Sequence, residues 1–121
     1  MTSFREAFPI VYVDDVTRSA QFYVASLGFE QVYRFPLEGE PDFVFLKLEP
    51  LGIALSQRRA EHAGSQFELC IYAADVDAAA EELRAAGAEE VQPPADQPWG
   101  ERLTYFRDPD GTLLHITAKV E

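Results

Sequence analysis

The sequence predicts an α+β fold built from two βαβββ modules, and three observations support this prediction. A β-rich run followed by a helical run and a glycine occurs twice, first over 9–28 and again over 68–87. Each helical run is followed by three segments that read as strands. The chain has 121 residues, of which 47% are hydrophobic and 26% are charged, as is typical of a globular domain.

We expect the two modules to share a single domain that spans residues 1–121, with the modules at about 5–58 and 65–119. A unit of ~60 residues is only marginally stable by itself, so the modules should pack together or exchange with a second chain. Each module would offer a curved, mixed sheet that is covered by its helix on one face. The opposite faces would then form a cleft.

Both helices have sequence signals at their ends. Asp15 and Asp75 stand where an N-cap is expected, ahead of helices over 17–26 and 77–86. A glycine follows each helix and suits the left-handed position that often ends one. Apolar residues three or four positions apart predict the buried faces: Ala20, Tyr23, Val24 and Leu27 in the first helix, and Ala79, Leu83 and Ala86 in the second.

The remaining strands are predicted between turn-forming residues. After the first helix they are 30–35, 42–48 and 52–57, and after the second helix 89–92, 101–106 and 112–118. The residues 108–111, Asp-Pro-Asp-Gly, predict a tight turn between the last two strands, because Pro suits its second position and Gly its fourth. The stretch 93–100 is rich in proline, and we predict a shaped loop over a site there.

Charge and composition exclude several classes of function. Ten Lys and Arg against 21 Asp and Glu give a net charge of -11, so nucleic acid is not an expected partner, whereas a cationic or neutral ligand suits the charge. The sequence shows neither the apolar core of a signal peptide nor a membrane-spanning run, so we expect a cytoplasmic protein with no membrane partner. The single cysteine, Cys70, fits a reducing compartment and reads as a packing residue.

A set of short motifs covers nearly the whole chain in a definite order. They are Val13-Asp-Asp-Val16, Phe22-Tyr23 and Leu27-Gly-Phe29 in the first module, and Asp75-Val-Asp77, Ala86-Gly87, Trp99-Gly-x-Arg102 and Asp108-Pro-Asp-Gly111 in the second. These motifs resemble the vicinal oxygen chelate superfamily, which includes glyoxalase I, extradiol dioxygenases and bleomycin resistance proteins. Among these members the pattern is closest to the bleomycin-resistance-like proteins.

The resemblance implies the glyoxalase/bleomycin resistance fold, usually assembled as a homodimer with sites between the two sheets. In enzymes of this family one divalent metal is held by side chains on the first and last strand of each module, where His, Gln or Glu stand. Counted from the matched motifs, the corresponding positions are Phe8, Ala54, Glu68 and His115. A shared fold does not by itself identify the function, so each position is interpreted separately.

Only half of these positions can ligate a metal. The ring of Phe8 and the methyl group of Ala54 would make their part of the cavity apolar, as suits an aromatic ligand. Glu68 and His115 remain, but two protein ligands fall short of the usual three at a catalytic metal. Strand alternation turns both toward the cavity, where they would bind a ligand or move a proton. The alternatives are an exposed Glu68 and a half-buried His115 with a structural hydrogen-bond partner.

Three further residues are interpreted from their positions. Trp99 lies in the proline-rich loop, where an indole either packs or stacks on a planar or cationic ligand. Arg102 matches the arginine of the family motif and either contacts ligand or makes a structural salt bridge to an acidic loop. His62 reads as an exposed loop residue.

These observations lead to two hypotheses for the function. The first is a metal-independent, bleomycin-resistance-like protein that sequesters an aromatic or cationic small molecule, with no cofactor, at a cleft of a homodimer. Its ligand-binding residues would be Phe8, Ala54, Glu68, Trp99, Arg102 and His115, and its role would be antibiotic resistance. The second is a metal-dependent lyase, isomerase or dioxygenase that uses Glu68 and His115 to hold Zn, Ni, Mn or Fe.

Overall fold

The structure, a computed structural model, describes residues 2–60, 66–109 and 111–120. His62 and Asp110 therefore lie outside the described residues. The chain divides into two compact units. The first unit is Phe8–Phe67, and the second unit is Met1–Ala7 together with Glu68–Glu121.

The helices and strands follow the predicted order along the chain. They are β1 (Phe4–Val13), α1 (Val16–Leu27), β2 (Glu30–Phe35), β3 (Phe43–Leu48), β4 (Leu51–Gln57), β5 (Phe67–Ala73), α2 (Val76–Ala85), β6 (Glu89–Asp96), β7 (Glu101–Arg107) and β8 (Leu113–Lys119). No helix in the described part of the chain is long and apolar enough to cross a membrane.

Each unit contains a mixed sheet, and the two sheets have the same strand arrangement. In the first unit the strand order is β2-β3-β4-β1, where β1 and β4 are parallel and place Ile10 opposite Ala54. In the second unit the order is β6-β7-β8-β5, where β5 and β8 are parallel and place Cys70 opposite His115. The predicted α+β fold of two βαβββ modules is confirmed.

The ends of both helices agree with the sequence signals. The Asp15 carboxylate accepts a hydrogen bond from the backbone N–H of Arg18 at 3.1 Å, and Asp75 accepts one from Ala78 at 3.0 Å. Gly28 has a φ of 82° and ends α1 in the left-handed region, where a side chain would be strained.

The buried face of α1 is narrower than predicted. Val16 and Ala20 are buried and Tyr23 packs against the core, but Val24 is 41% exposed and Leu27 is 50% exposed. Val24 lies about 80° around the helix axis from Val16, since 3.6 residues make one turn, and so it falls at the edge of the buried stripe. Leu27 is the last residue of the helix.

In α2 the predicted burial is wrong only for the last predicted residue, Ala86. Ala79 is buried and Leu83 packs against the core, as predicted, and Ala80 is buried as well. Ala86 is exposed because α2 ends one residue earlier.

The predicted loop over 93–100 is wrong in its first half. The strand β6 continues through Pro93 and Pro94 to Asp96. A proline cannot donate a hydrogen bond to a neighbouring strand, but β6 is the last strand in its unit's order, and its pairing with β7 shifts register between Gln92 and Ala95. The sheet therefore accommodates the two prolines because they lie on an edge strand, where the pairing with β7 is irregular.

In each unit the apolar core lies between the helix and one face of the sheet. The core of the first unit contains Val16, Ala20, Phe29, Val44, Leu46, Ile53 and Leu55. The core of the second unit contains Ala73, Ala79 and Ile116, with Ile71, Leu83 and Leu114 packed against it. Because side chains alternate along a strand, the neighbouring residues point to the face that carries no helix. Of the candidate site residues, Phe8, Ala54, Glu68 and His115 lie on this helix-free face.

Candidate functional site

The central feature of the second unit is a buried pair formed by Glu68 and His115. The Nδ1 atom of His115 lies 2.8 Å from Oε1 of Glu68. Glu68 is 5% exposed and His115 is 8% exposed. The parallel pairing of β5 with β8 sets His115 opposite Cys70, two residues along β5 from Glu68, so both side chains project from the same face as diagonal neighbours. The structure therefore joins two residues that stand far apart in the sequence.

The second nitrogen of the imidazole is buried without a partner. Nε2 of His115 makes no hydrogen bond to any residue that the structure describes. Buried polar atoms in native proteins nearly always have a hydrogen-bond partner, so a buried nitrogen of this kind is a place where a ligand atom can bind. In the tautomer whose Nδ1–H donates to Glu68, Nε2 is an acceptor.

Two ionisable side chains beside His115, those of Tyr105 and Cys70, are held in their neutral forms. The ring of Tyr105 lies against the imidazole, with centroids 5.0 Å apart. Burial, helped by the negative charge of Glu68, raises the pKa of the Tyr105 hydroxyl. Burial, followed by the charges of Glu101 and Glu68, raises the pKa of the Cys70 thiol. A protonated thiol is a weak nucleophile, so Cys70 acts here as a packing residue.

A second polar cluster lies toward the beginning of β7. The Tyr72 hydroxyl donates a hydrogen bond to Oε2 of Glu101 at 2.6 Å, and the Nε1–H group of Trp99 donates to Oε1 at 3.0 Å. Trp99 remains 46% exposed. The loop indole is thus tied by its nitrogen to a carboxylate on the sheet while much of its ring faces solvent.

The corresponding face of the first unit is apolar. Phe8 makes an edge-to-face contact with Phe45, with ring centroids 4.8 Å apart. Ala54 is fully buried and stands opposite Phe45 in the pairing of β3 with β4. The ring of Phe45 also covers Gly52, where an added Cβ would lie 2.5 Å from the ring. The space beside Ala54 and Gly52 is therefore occupied by an aromatic side chain.

These residues do not fit the divalent metal that the fold family implies. Phe8 and Ala54 have no donor atom, and Glu68 already accepts the hydrogen bond of His115. Among residues 2–60, 66–109 and 111–120, no group of three or more His, Cys, Asp or Glu side chains is arranged to hold an ion. A catalytic metal site normally has three protein ligands, and this donor set falls short.

Arg102 lies on the opposite face of its sheet. Its guanidinium group binds both oxygens of Asp77 at 3.0 and 3.1 Å, and it binds Asp96 at 3.0 Å. These hydrogen bonds raise the pKa of Arg102 and hold the pKa of Asp77 below its ordinary value. Arg102 makes a salt bridge, as considered for this residue, but its partners lie at the start of α2 and the end of β6 and not in an acidic loop.

Sequence reasoning did not single out Glu101 or Tyr105. A signal was available, because Glu101, Leu103 and Tyr105 alternate along β7 and must share one face. The sequence motif specifies Arg102 and not Glu101, and the same alternation places Arg102 on the other face. Choosing between the two faces required the pairing of β7 with β8, which sets Tyr105 opposite His115.

Comparisons with known proteins agree with the fold. A family model described as the Glyoxalase/Bleomycin resistance protein/Dioxygenase superfamily matches residues 7–116. The uncharacterized protein YraH of Bacillus subtilis (strain 168) is 30% identical over 115 residues, covering 86% of this chain and 90% of YraH.

Two solved structures are similar in fold. One is a glyoxalase/bleomycin resistance protein/dioxygenase superfamily member from Vibrio splendidus 12B01, with a TM-score of 0.73, 24% identity, and coverage of 95% of this chain and 98% of that one. The other is methylmalonyl-CoA epimerase (Q60A) from Streptomyces coelicolor, with a TM-score of 0.72, 20% identity, and coverage of 94% and 96%. At these identities the likeness concerns the fold alone.

Proposed function

Because the chain belongs to the glyoxalase/bleomycin resistance protein/dioxygenase superfamily, we propose that it binds a small aromatic or cationic molecule without a metal, as a bleomycin-resistance-like protein would. The observation that carries this proposal is the buried Nε2 atom of His115, held in place by Glu68 and without a partner among the described residues. Bound ligand would supply the missing hydrogen bond.

Glu68 would act as the residue that orients the imidazole. By accepting the hydrogen bond from Nδ1, its carboxylate fixes both the ring orientation and the tautomer. The Nε2 atom then offers a lone pair to an N–H or O–H group of the ligand. A protonated amine or a phenol has such a group, whereas a simple carboxylate does not.

Charge and apolar surface support the same ligand class. The net charge of -11 raises the local concentration of cations around the protein. The helix-free face of the first unit, with Phe8 and Phe45, is apolar and suits an aromatic group.

A thermal-shift screen on one preparation tests the proposal. Basic antibiotics, aromatic metabolites and divalent metals are added separately, and a ligand that binds the native state raises the midpoint of unfolding. We expect organic compounds to stabilise the protein and metals to have no specific effect. His115→Gln, which can still donate to Glu68 but lacks the second ring nitrogen, should abolish the organic shift, and Glu49→Gln in the exposed turn after β3 should leave it unchanged.

The same screen identifies the alternative function. If Zn, Ni, Mn or Fe stabilises the protein, if His115→Gln removes that effect, and if no organic compound binds, the proposal is wrong. A metal-dependent lyase, isomerase or dioxygenase that uses Glu68 and His115 would then be the better description.

A further inference from the structure

We propose that Glu101, together with Tyr72 and Trp99, forms a subsite for an organic ammonium group of the ligand. This inference rests on the proposed function and adds the position of the ligand's positive charge. The three residues meet through two hydrogen bonds to one carboxylate, of 2.6 Å from Tyr72 and 3.0 Å from Trp99.

The negative charge of Glu101 supports the binding of a cation. Its hydrogen-bond partners Tyr72 and Trp99 are neutral donors, so the hydrogen bonds orient the carboxylate without cancelling its charge. Among the ion pairs of the described residues none involves Glu101, although Lys119 stands opposite it on β8. A carboxylate that is partly buried, fixed in direction and not engaged in a salt bridge attracts a cation more strongly than a fully exposed carboxylate does.

Other acidic side chains add negative charge around this carboxylate. Burial raises the pKa of the Tyr72 hydroxyl, and the hydrogen bond to Glu101 and the charge of Glu6 raise it further. Glu6 is held at a φ of 52°, a left-handed backbone conformation that is uncommon for a residue with a side chain. Glu101 and Glu68 both act on Cys70, which lies between them on the same face.

The exposed indole ring of Trp99 also favours an organic cation. The indole ring of Trp99 is 46% exposed although its nitrogen is tied to Glu101. The face of an aromatic ring attracts organic cations, and indole does so more strongly than the other rings. A carboxylate flanked by an indole and a phenol is therefore suited to an alkylammonium or quaternary ammonium group.

The subsite also limits the length of the ligand. Glu101 and Tyr105 are four residues apart on β7, which corresponds to about 13 Å at ~3.3 Å per strand residue. The Tyr105 ring lies against His115, whose Nε2 atom is buried and unpartnered in the described structure. One extended ligand would place its ammonium group at Glu101 and a hydrogen-bond donor at His115.

The test uses the fluorescence of Trp99, which is the only tryptophan in the chain. Choline chloride is titrated into the protein, and 3,3-dimethylbutan-1-ol, its uncharged carbon counterpart, is titrated in parallel with sodium chloride keeping the ionic strength equal. We expect choline to change the emission in a saturable manner and the neutral alcohol to have no such effect. Glu101→Gln removes the charge, while its amide oxygen can still accept from Trp99 and its NH₂ group can donate to the Tyr72 hydroxyl. This variant should weaken choline binding at least about tenfold.

Two further variants complete the design. Glu49→Gln removes a charge on the first unit and should leave choline binding unchanged. Glu6→Gln, at an exposed position near the subsite, should weaken binding about two- to threefold through loss of charge alone. This smaller effect keeps the test decisive if Glu101→Gln fails to fold, because unchanged affinity in Glu6→Gln would then contradict the subsite.

The outcomes separate this inference from the proposed function. If neutral aromatic compounds stabilise the protein while choline has no effect, or if Glu101→Gln binds choline as well as the unmodified protein does, the ammonium subsite is wrong and the proposed function stands. If neither choline nor any organic compound in the thermal-shift screen binds, both are wrong.

Discussion

At the scale of single residues, the pairing of Glu68 with His115 is the interaction most closely tied to function. Both side chains are buried, and they are joined by a 2.8 Å hydrogen bond. Removal of one partner from a buried pair leaves the other without its hydrogen bond, which is usually more costly than the net value of the bond itself. The proposed site therefore depends on this pair for its stability.

Glu68→Ala is accordingly expected to lower the free energy of unfolding by about 1–3 kcal/mol, because Nδ1 of His115 loses its acceptor while still buried. Urea unfolding measures the change. Glu68→Gln, whose amide oxygen still accepts, should have a smaller effect, and Glu49→Ala on the surface should stay within about 0.5 kcal/mol of the unmodified protein. Equal stability of Glu68→Ala and Glu49→Ala would contradict the structural role of the pair.

The raised pKa of Cys70 predicts a loss of stability at alkaline pH. The unfolded thiol ionises near its ordinary pKa of 9.0, whereas the folded protein keeps it protonated. The unfolded state therefore gains stability as the pH rises above that value, and the free energy of unfolding should fall by about 1 kcal/mol between pH 8 and pH 10 from this group. Tyr72 and Tyr105 add to the fall above pH 10, in the same direction.

Urea unfolding of the unmodified protein and of Cys70→Ala at pH 8 and pH 10 isolates the cysteine contribution. The alanine variant should lose less stability between the two pH values. An equal loss in both proteins would show that Cys70 does not contribute to the alkaline effect.

At the scale of strands, the contact of Phe45 with Gly52 shows how the first unit fills its helix-free face. An alanine at position 52 would place its Cβ 2.5 Å from the Phe45 ring, which Phe8 holds from another side. We expect Gly52→Ala to reduce the free energy of unfolding by about 1–3 kcal/mol through overpacking.

A double-mutant cycle checks this prediction. In a Phe45→Leu background the smaller side chain leaves room for the added methyl group, so Gly52→Ala should cost less there than in the unmodified protein. An identical cost in both backgrounds would assign the effect to the backbone and not to the ring.

At the scale of the whole molecule, we propose that the protein is a homodimer, as the family resemblance implies. Most soluble oligomers of one chain are symmetric dimers. Sedimentation equilibrium should then give a mass near 27.2 kDa, twice the 13.6 kDa of one chain. A mass of 13.6 kDa over the whole range of working concentrations would rule the dimer out.

The sequence by itself determined the repeated βαβββ order and the positions of the helix caps, and the family resemblance indicated which residues stand at the four expected chelate positions. Each of these features depends on neighbours within a few positions: Asp15 caps α1 through an N–H three residues away, and the mixed polar and apolar alternation marks each strand. The absence of donor atoms at Phe8 and Ala54 was likewise evident from residue type alone.

Only the tertiary structure decided which side chains meet. The hydrogen bond from His115 to Glu68, the ring of Tyr105 beside it and the hydrogen bond from Tyr72 to Glu101 all join different strands. Such contacts depend on strand register and on the face that each side chain occupies. A shift of one residue in register would exchange Glu101 for Arg102, and pairing between distant strands, not local pattern, fixes that register.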